Sequence, residues 1–509
     1  MPDDSSEVTV AGDEPAQAIT RGARANAAGL LLRLGARLAF LFVAARLFGA
    51  QAFGNYVLAV ALVELAVSLG SLSTKKTLFP ILDRAAQGAA RPVFHYVLDA
   101  AGMVLAASLV LALVLAGLGK ALAPPDVARV LALVAPAIAG QALLDLFIAA
   151  GRWRGKVRFE VVGRSLIEPW LVAVGSFGAH FLGLGDGLAI GYWLGTVGAL
   201  AYVVWGVTRD FQPVALRRYR PDPAMPGRIV RMATSNSAND LLNALYLRID
   251  IYIVGVLLGP AATGVYGMAR QVTTPIRQVR QSFDSLLVPA LARIIGTRGV
   301  AQAEPALASS MRLILAIQLP LLIGIIGAGY PLMAWLGPGF EAGYWALVIL
   351  GTAEVIQSSF GLGDLVLVYE KPHLALGLTA LGIAAGGGIA MVAIPSLGIT
   401  GAAFASLAAH GLRAVLRLAV LRRHFGLPVP FSAIAGPVLV CIPACAAAAW
   451  LSPPLLASAA GLGLYFVLLR LWLANMGQSL DLAGFSLSAQ DASGSPSEFH
   501  GAETPRLRD

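Results

Sequence analysis

Apolar runs of about 20 residues recur from Ala27 to Trp472 with only short gaps between them, and each has the length that crosses a bilayer core as a helix. Inside hydrocarbon every backbone N–H and C=O needs an internal partner, so a succession of such runs folds as a bundle of spanning helices. About fourteen runs are present, which predicts an all-α polytopic membrane protein. Composition agrees, because only 13% of the 509 residues are charged where a soluble domain carries about 25%, and the mean hydropathy is +0.75. A net charge of +9 would suit a nucleic-acid binder, but the basic residues lie in loops between spans and not on one soluble face. Nucleic acid is therefore excluded as a partner.

Those loops predict an orientation. With a cytoplasmic N-terminus, the loops after even-numbered helices hold Lys75, Lys76, Arg84 and Arg91, then Arg152, Arg154, Lys156 and Arg158, then Arg209, Arg217, Arg218, Arg220, Arg228 and Arg231. Arg293, Arg298, Lys371, Arg422 and Arg423 continue the series. The opposite loops, near Ala50, Leu182, Pro260, Glu341, Ser396 and Pro453, are almost free of Lys and Arg; Lys120 and Arg129 are the clear exceptions. One missed span would invert every later loop, so the alternation supports both the helix count and two cytoplasmic termini.

The expected organisation is a polar cytoplasmic tail (1–25), a first lobe of six helices (26–208), a basic connector (209–227), a second lobe of six (228–424), two further helices (425–475) and a disordered cytoplasmic tail (476–509). The N-terminal tail is acidic and lacks the basic region and cleavage site of a secretory signal. Cys441 and Cys445 lie four apart in an Ala-rich run with nothing else at metal-ligand spacing, so they are expected to be small core residues, and no metal or cofactor is expected.

The two halves repeat. RLFGAQAFGNY carries Gly49, Gly54 and Tyr56, and VLLGPAATGVY carries Gly259, Gly264 and Tyr266, each pair 210 residues apart. A weaker echo links GLGDGLAIGYW with SLGITGAAFAS. Six helices separate the copies, so both enter the membrane from the same side, as in parallel repeats related by an axis along the membrane normal.

ARLFGAQAFGNYVLAVAL at 45–62, LRIDIYIVGVLLGPAATGVYGMA at 247–269 and LGITGAAFASLAAHGLR at 397–413 resemble the polysaccharide-flippase branch of the multidrug, oligosaccharidyl-lipid and polysaccharide exporter superfamily. The resemblance, in helix order, covers about 26–475. It implies two six-helix lobes with a pseudo-twofold relation, alternating access, and export of a polyprenyl-(pyro)phosphate-linked oligosaccharide for exopolysaccharide, O-antigen or capsule assembly. The implied setting is the bacterial inner membrane beside a polysaccharide polymerase and a chain-length regulator. The last two helices depart from the commoner twelve and are similar to the fourteen-helix lipid II flippases. A cation-coupled multidrug exporter is the other alternative on this fold. A polymerase or ligase would place a large polar loop outside the membrane, and the loops here are short; no catalytic residues and no phosphate loop are found, so the chain is not expected to be an enzyme.

Charges within the spans are costly and face a bundle interior or an aqueous cavity. Arg33 and Arg37 share a face of the first helix, Arg33 near enough to the headgroups to snorkel. Glu64, Ser68, Ser71 and Lys75 form a stripe on the second. Asn236, Asn239, Asp240, Asn243 and Asp250 stripe the seventh over about 20 Å, lining a path or bonding neighbouring helices. Arg270 and Arg277 share a face of the eighth, where Arg280 and Asp284 are spaced to pair; Glu354, Gln357 and Ser358 share one of the tenth. Guanidinium groups bind phosphate oxygens bidentately, so Arg33, Arg37, Arg248, Arg270 and Arg277, with Asn236, Asn239 and Asn243, are the substrate-binding candidates. Glu64, Asp240, Asp250 and Glu354 are the candidates for H⁺ or Na⁺ coupling. Arg413 and Arg417, four apart and near Arg422, are expected at the cytoplasmic interface, and His180, His373 and His410 as isolated packing residues.

Overall fold

The computed structural model describes residues 35–88, 91–211, 219, 221–428, 431–450 and 453–475. Both terminal tails, Arg33 and most of the connector lie outside these. Every element among the described residues is helical. In the first half, α1 covers 35–48 and is followed by α2 (Gly49–Gly70), α3 (Thr74–Ala86), α4 (Val93–Leu122), α5 (Pro125–Val134), α6 (Ala137–Trp153), α7 (Arg158–Val162), α8 (Glu168–Phe181) and α9 (Gly187–Asp210). The second half comprises α10 (Met225–Tyr246), α11 (Ile249–Arg298), α12 (Glu304–Leu336), α13 (Tyr344–Phe360), α14 (Gly363–Glu370) and α15 (Pro372–Phe425), and α16 (Phe431–Trp450) and α17 (Pro454–Asn475) close the chain.

Eight helical stretches among these residues are long and apolar enough to cross a membrane, and three of them double back. Phe40 and Tyr56 meet with ring centroids 5.9 Å apart and planes tilted by 57°, although 16 residues of straight helix would separate them by about 24 Å; the chain reverses at Gly49. Arg270 reaches Asp250 across a reversal at Gly259, and a methyl built on Gly386 would lie 3.1 Å from Cβ of Ala409 across a reversal at Gly398. With three of the eight doubled, the stretches make eleven passes, α10 being the entry to the first arm of α11, and with the shorter helices α8, α13 and α16 the described residues have the expected fourteen, in two six-helix lobes plus two. The last pair seats on α12, where Tyr465 donates to the carbonyl of Ala316 at 3.3 Å.

The repeat is written in the backbone. Gly49 has φ +74° and ψ +176° and Gly259 has φ +81° and ψ −178°, a conformation open to residues without a Cβ. Five residues on, the copies cross. A Cβ on Gly54 would sit 1.7 Å from the carbonyl oxygen of Pro260, and one on Gly264 would sit 2.0 Å from that of Ala50. Each lobe thus offers the other the same contact, as a twofold axis demands.

At this end, hereafter the turn end, one apolar core runs through both lobes, joining Phe53, Tyr56, Leu131 and Tyr192 to Ile251, Tyr266, Leu336 and Leu347. At the opposite end, which carries the basic loops, it divides in two. One core gathers Leu82, Phe94, Leu146, Phe159 and Val203, the other Leu287, Leu307, Ile314, Leu367 and Leu421. The foot of α10 belongs to the first, through Met225 and Ile229, and the described part of the connector is tied there too: Tyr219 donates to Asp99 at 2.7 Å. Further up, Tyr246 of α10 packs on Gly382 of α15, so α10 leans on both lobes.

Candidate functional site

The fork between the divided cores is where the charged spans meet. Arg37 of α1 donates from Nη2 to Thr274 Oγ1 of α11 at 2.9 Å. Glu64 of α2 pairs with Arg248, which sits in the break between α10 and α11, and Tyr252 donates to the carbonyl of Ala61 at 2.8 Å beside it. Arg277 lies 3.2 Å from Glu354 of α13. Within the hydrocarbon span Arg248 and Arg277 each keep 30% of the side chain exposed and Glu64 keeps 39%, as groups lining a cleft do.

Asp250 differs. It is buried and accepts from Ser406 at 2.8 Å, from its neighbour's amide at 2.9 Å, and from Tyr266 and Arg270. Arg270 also holds the carbonyl of Leu247 at 2.6 Å, and Tyr246 and His410 complete the shell at 2.6 Å from one another. A cavity of about 20 Å³ lies between these groups, room for one water. Of the eight substrate-binding and four coupling candidates, Arg37, Arg248, Arg277, Glu64 and Glu354 therefore line the fork, and Arg270 and Asp250 form a closed polar core behind it.

The α10 stripe is divided in its contacts. Asn236 and Asn243 turn their amide N–H groups onto the carbonyls of Met232 and Asn239 one turn back, at 3.1 and 2.9 Å, and Asn239 Oδ1 receives the second Asn243 contact at 3.2 Å. Asp240 reaches across to the start of α3, accepting from Ser73 just before it at 2.7 Å and from Lys76 on it at 2.6 Å. That pair is half-exposed and exposed pairs are worth about 0–1 kcal/mol. Lys76→Ala is accordingly expected to lower the thermal stability of the detergent-solubilised protein by no more than about 1 kcal/mol; a larger loss would show the contact to be desolvated.

Two readings need correction, those of Lys75 and of Arg413 with Arg417. The α2 stripe does not continue to Lys75, which turns into the first lobe and meets Asp145 at 3.0 Å, because Leu72 and Ser73 adopt φ +50° and reset the helical phase. Arg280 donates to the carbonyls of Gln357 and Gly361, and its expected pairing with Asp284 falls on a side chain outside the described set. Arg413 and Arg417 are not interfacial. Both clasp Asp364, Arg417 with none of its side chain exposed. Their burial was signalled by Ser406, His410, Arg413 and Arg417, spaced four, three and four along one face of α15.

Chemically, the fork sets three guanidinium groups, of Arg37, Arg248 and Arg277, against the carboxylates of Glu64 and Glu354. The position that a carboxylate oxygen takes against a guanidinium is one that a phosphate oxygen also fits.

Residues 43–337 match the model of a family described as "Polysaccharide biosynthesis protein". A probable low-salt glycan biosynthesis flippase, Agl15, from Haloferax volcanii is 24% identical over 191 residues. That match covers 37% of this chain and 40% of the relative's length. Among solved structures, the lipid II flippase MurJ in an inward closed conformation superposes with a TM-score of 0.72 at 11% identity, over 88% of this chain and 99% of that one. An inward-facing multidrug resistance MATE family transporter of the MOP superfamily gives 0.64 at 15% identity, over 78% and 98%.

Proposed function

The chain belongs to the polysaccharide biosynthesis protein family, whose model spans more than half of it, and on that premise we propose that it moves a polyprenyl-(pyro)phosphate-linked oligosaccharide across the membrane without altering it chemically. The observation that carries this reading is the apolar core, continuous at the turn end and divided at the other, with guanidinium groups in the division. A headgroup rich in hydroxyls and phosphate loses its water partners in hydrocarbon. Arg37, Arg248 and Arg277 supply replacements, and the lipid tail stays in the bilayer. The lobes, 26–208 and 228–424, rock about the Gly54–Gly264 crossing to present the cargo on the other side. The setting is a bacterial cytoplasmic membrane with the basic loops and both termini inside, beside a polymerase and a chain-length regulator. Glu64 is the carboxylate best placed to take H⁺ or Na⁺, being exposed to the fork and held by one guanidinium.

Arg37→Gln and Arg277→Gln test the reading. Each removes a charge-assisted bond of about 1.5–3 kcal/mol, so the rate at which lipid-linked glycan becomes accessible to an impermeant probe outside is expected to fall roughly 10- to 150-fold, with the protein still inserted. Unchanged rates in both variants would overturn the cationic cleft. Docking of α16 and α17 on α12 favours lipid II as a second reading; inner-leaflet accumulation of lipid II on loss of the protein would select it. Cationic drugs as cargo are disfavoured by the arginines.

A further inference from the structure

We propose a second ligand site, for a neutral sugar ring, at the turn end of the first lobe and apart from the fork. A cavity of about 150 Å³ opens there between α2, α5 and α9, lined by Phe48, Asn55, Tyr56, Asp126, Arg129 and Asp186 among others. It holds several waters, room enough for a single ring. Asn55 is 6% exposed, and its buried Oδ1 has no hydrogen-bond partner, a state that costs about 1–3 kcal/mol unless something donates to it. At the mouth, Arg129 and Asp186 hold one another at 2.6 Å, which accounts for one of the two basic residues that break the loop alternation.

The repeat isolates this cavity as a feature of one lobe. The position 210 residues after Asn55 is Val265, buried and close enough to Gly343 that a methyl there would lie 2.8 Å from its Cγ1. The second lobe fills the equivalent space with hydrocarbon, and the first lobe keeps it open and polar.

The chemistry of the lining selects the ligand class. Asn55 Oδ1 and the carboxylates of Asp126 and Asp186 accept hydrogen bonds, Arg129 donates, and Phe48 and Tyr56 add apolar lining. A pyranose offers hydroxyl donors and acceptors at its edge and C–H groups on its faces, and satisfies all three. Two carboxylates oppose a phosphate, and the guanidinium at the mouth opposes a bare cation. The site adjoins the Gly54–Gly264 crossing by one residue, so the ring lodges beside the contact about which the lobes move. The inference rests on the saccharide cargo proposed above, as the subsite that receives the leading sugar at the far side.

Saturation-transfer NMR of the full-length protein in nanodiscs, with free glucose, galactose and N-acetylglucosamine as probes, tests it. At least one sugar is expected to give a signal that falls about tenfold in Asn55→Ala and weakens in Asp126→Asn, a change at the exposed rim that spares the core. Equal signals in wild type and both variants would overturn the site, as would silence from all three sugars, or heat from CaCl₂ or NaCl titration that depends on Asn55 without any sugar signal. Silence with normal sensitivity of export to Arg37 and Arg277 removes the subsite and leaves the transport reading standing; Asn55-dependent signals with export indifferent to those arginines do the reverse.

Discussion

Arg270→Met should be among the most damaging single substitutions in the chain. Asp250 is buried and accepts from Arg270, Tyr266, Ser406 and a backbone amide. Removing the guanidinium leaves its charge uncompensated, a loss of about 3–5 kcal/mol when one partner of a buried pair goes, comparable with much of a domain's stability of about 5–15 kcal/mol. Thermal denaturation in detergent, followed by size-exclusion of the surviving fraction, reads the loss. Adding Asp250→Asn neutralises the stranded carboxylate and is expected to restore a large part of it. Wild-type stability of Arg270→Met, or a double variant no better than the single, would show that the pair is hydrated and belongs to the cleft.

Gly54→Ala is expected to be as severe for a different reason. Its methyl would stand 1.7 Å from a backbone carbonyl oxygen of the facing lobe, and backbone held in two helices cannot rotate away as a side chain does. Overpacking costs about 1–3 kcal/mol where side chains can yield; here the loss should reach or exceed about 3 kcal/mol. Gly264→Ala meets Ala50 across the same axis at 2.0 Å and should behave alike, the double variant falling short of additivity because both act on one contact. Gly102→Ala on α4, with nothing within 4 Å of the added methyl, is the control and should be neutral or stabilising by up to about 1 kcal/mol. Equal melting of all three variants would mean that the lobes do not meet at these glycines.

Much of this architecture is legible without coordinates, because bilayer length and loop charge act locally along the chain. The 210-residue spacing of Gly49 and Gly259 signalled a repeated turn, and the turn proved to be the same backbone conformation twice. What stayed hidden depends on contacts between distant residues. Nothing near Arg270 in sequence announces that Ser406, 136 residues later, shares its carboxylate. The split of the α2 stripe was equally invisible, since Leu72 and Ser73 take a left-handed conformation that glycine would have advertised and they do not. His410 looked isolated because its partner Tyr246 is on another helix. Aqueous stripes and interior networks draw on the same residue types, so sequence found the charged groups of the fork and could not separate Arg277, half-exposed, from Arg270, enclosed.

The forked interior bears on the energetics of any rocking motion. When the two arms swing, each carries its own oily centre intact and the shared one acts as the fulcrum, so little hydrocarbon changes its surroundings. The difference between the arms apart and the arms together then falls to the few polar contacts that cross between them, such as Glu64 with Arg248 and Arg37 with Thr274. Under the function proposed above, a balance of that kind is one that the cargo itself would tip.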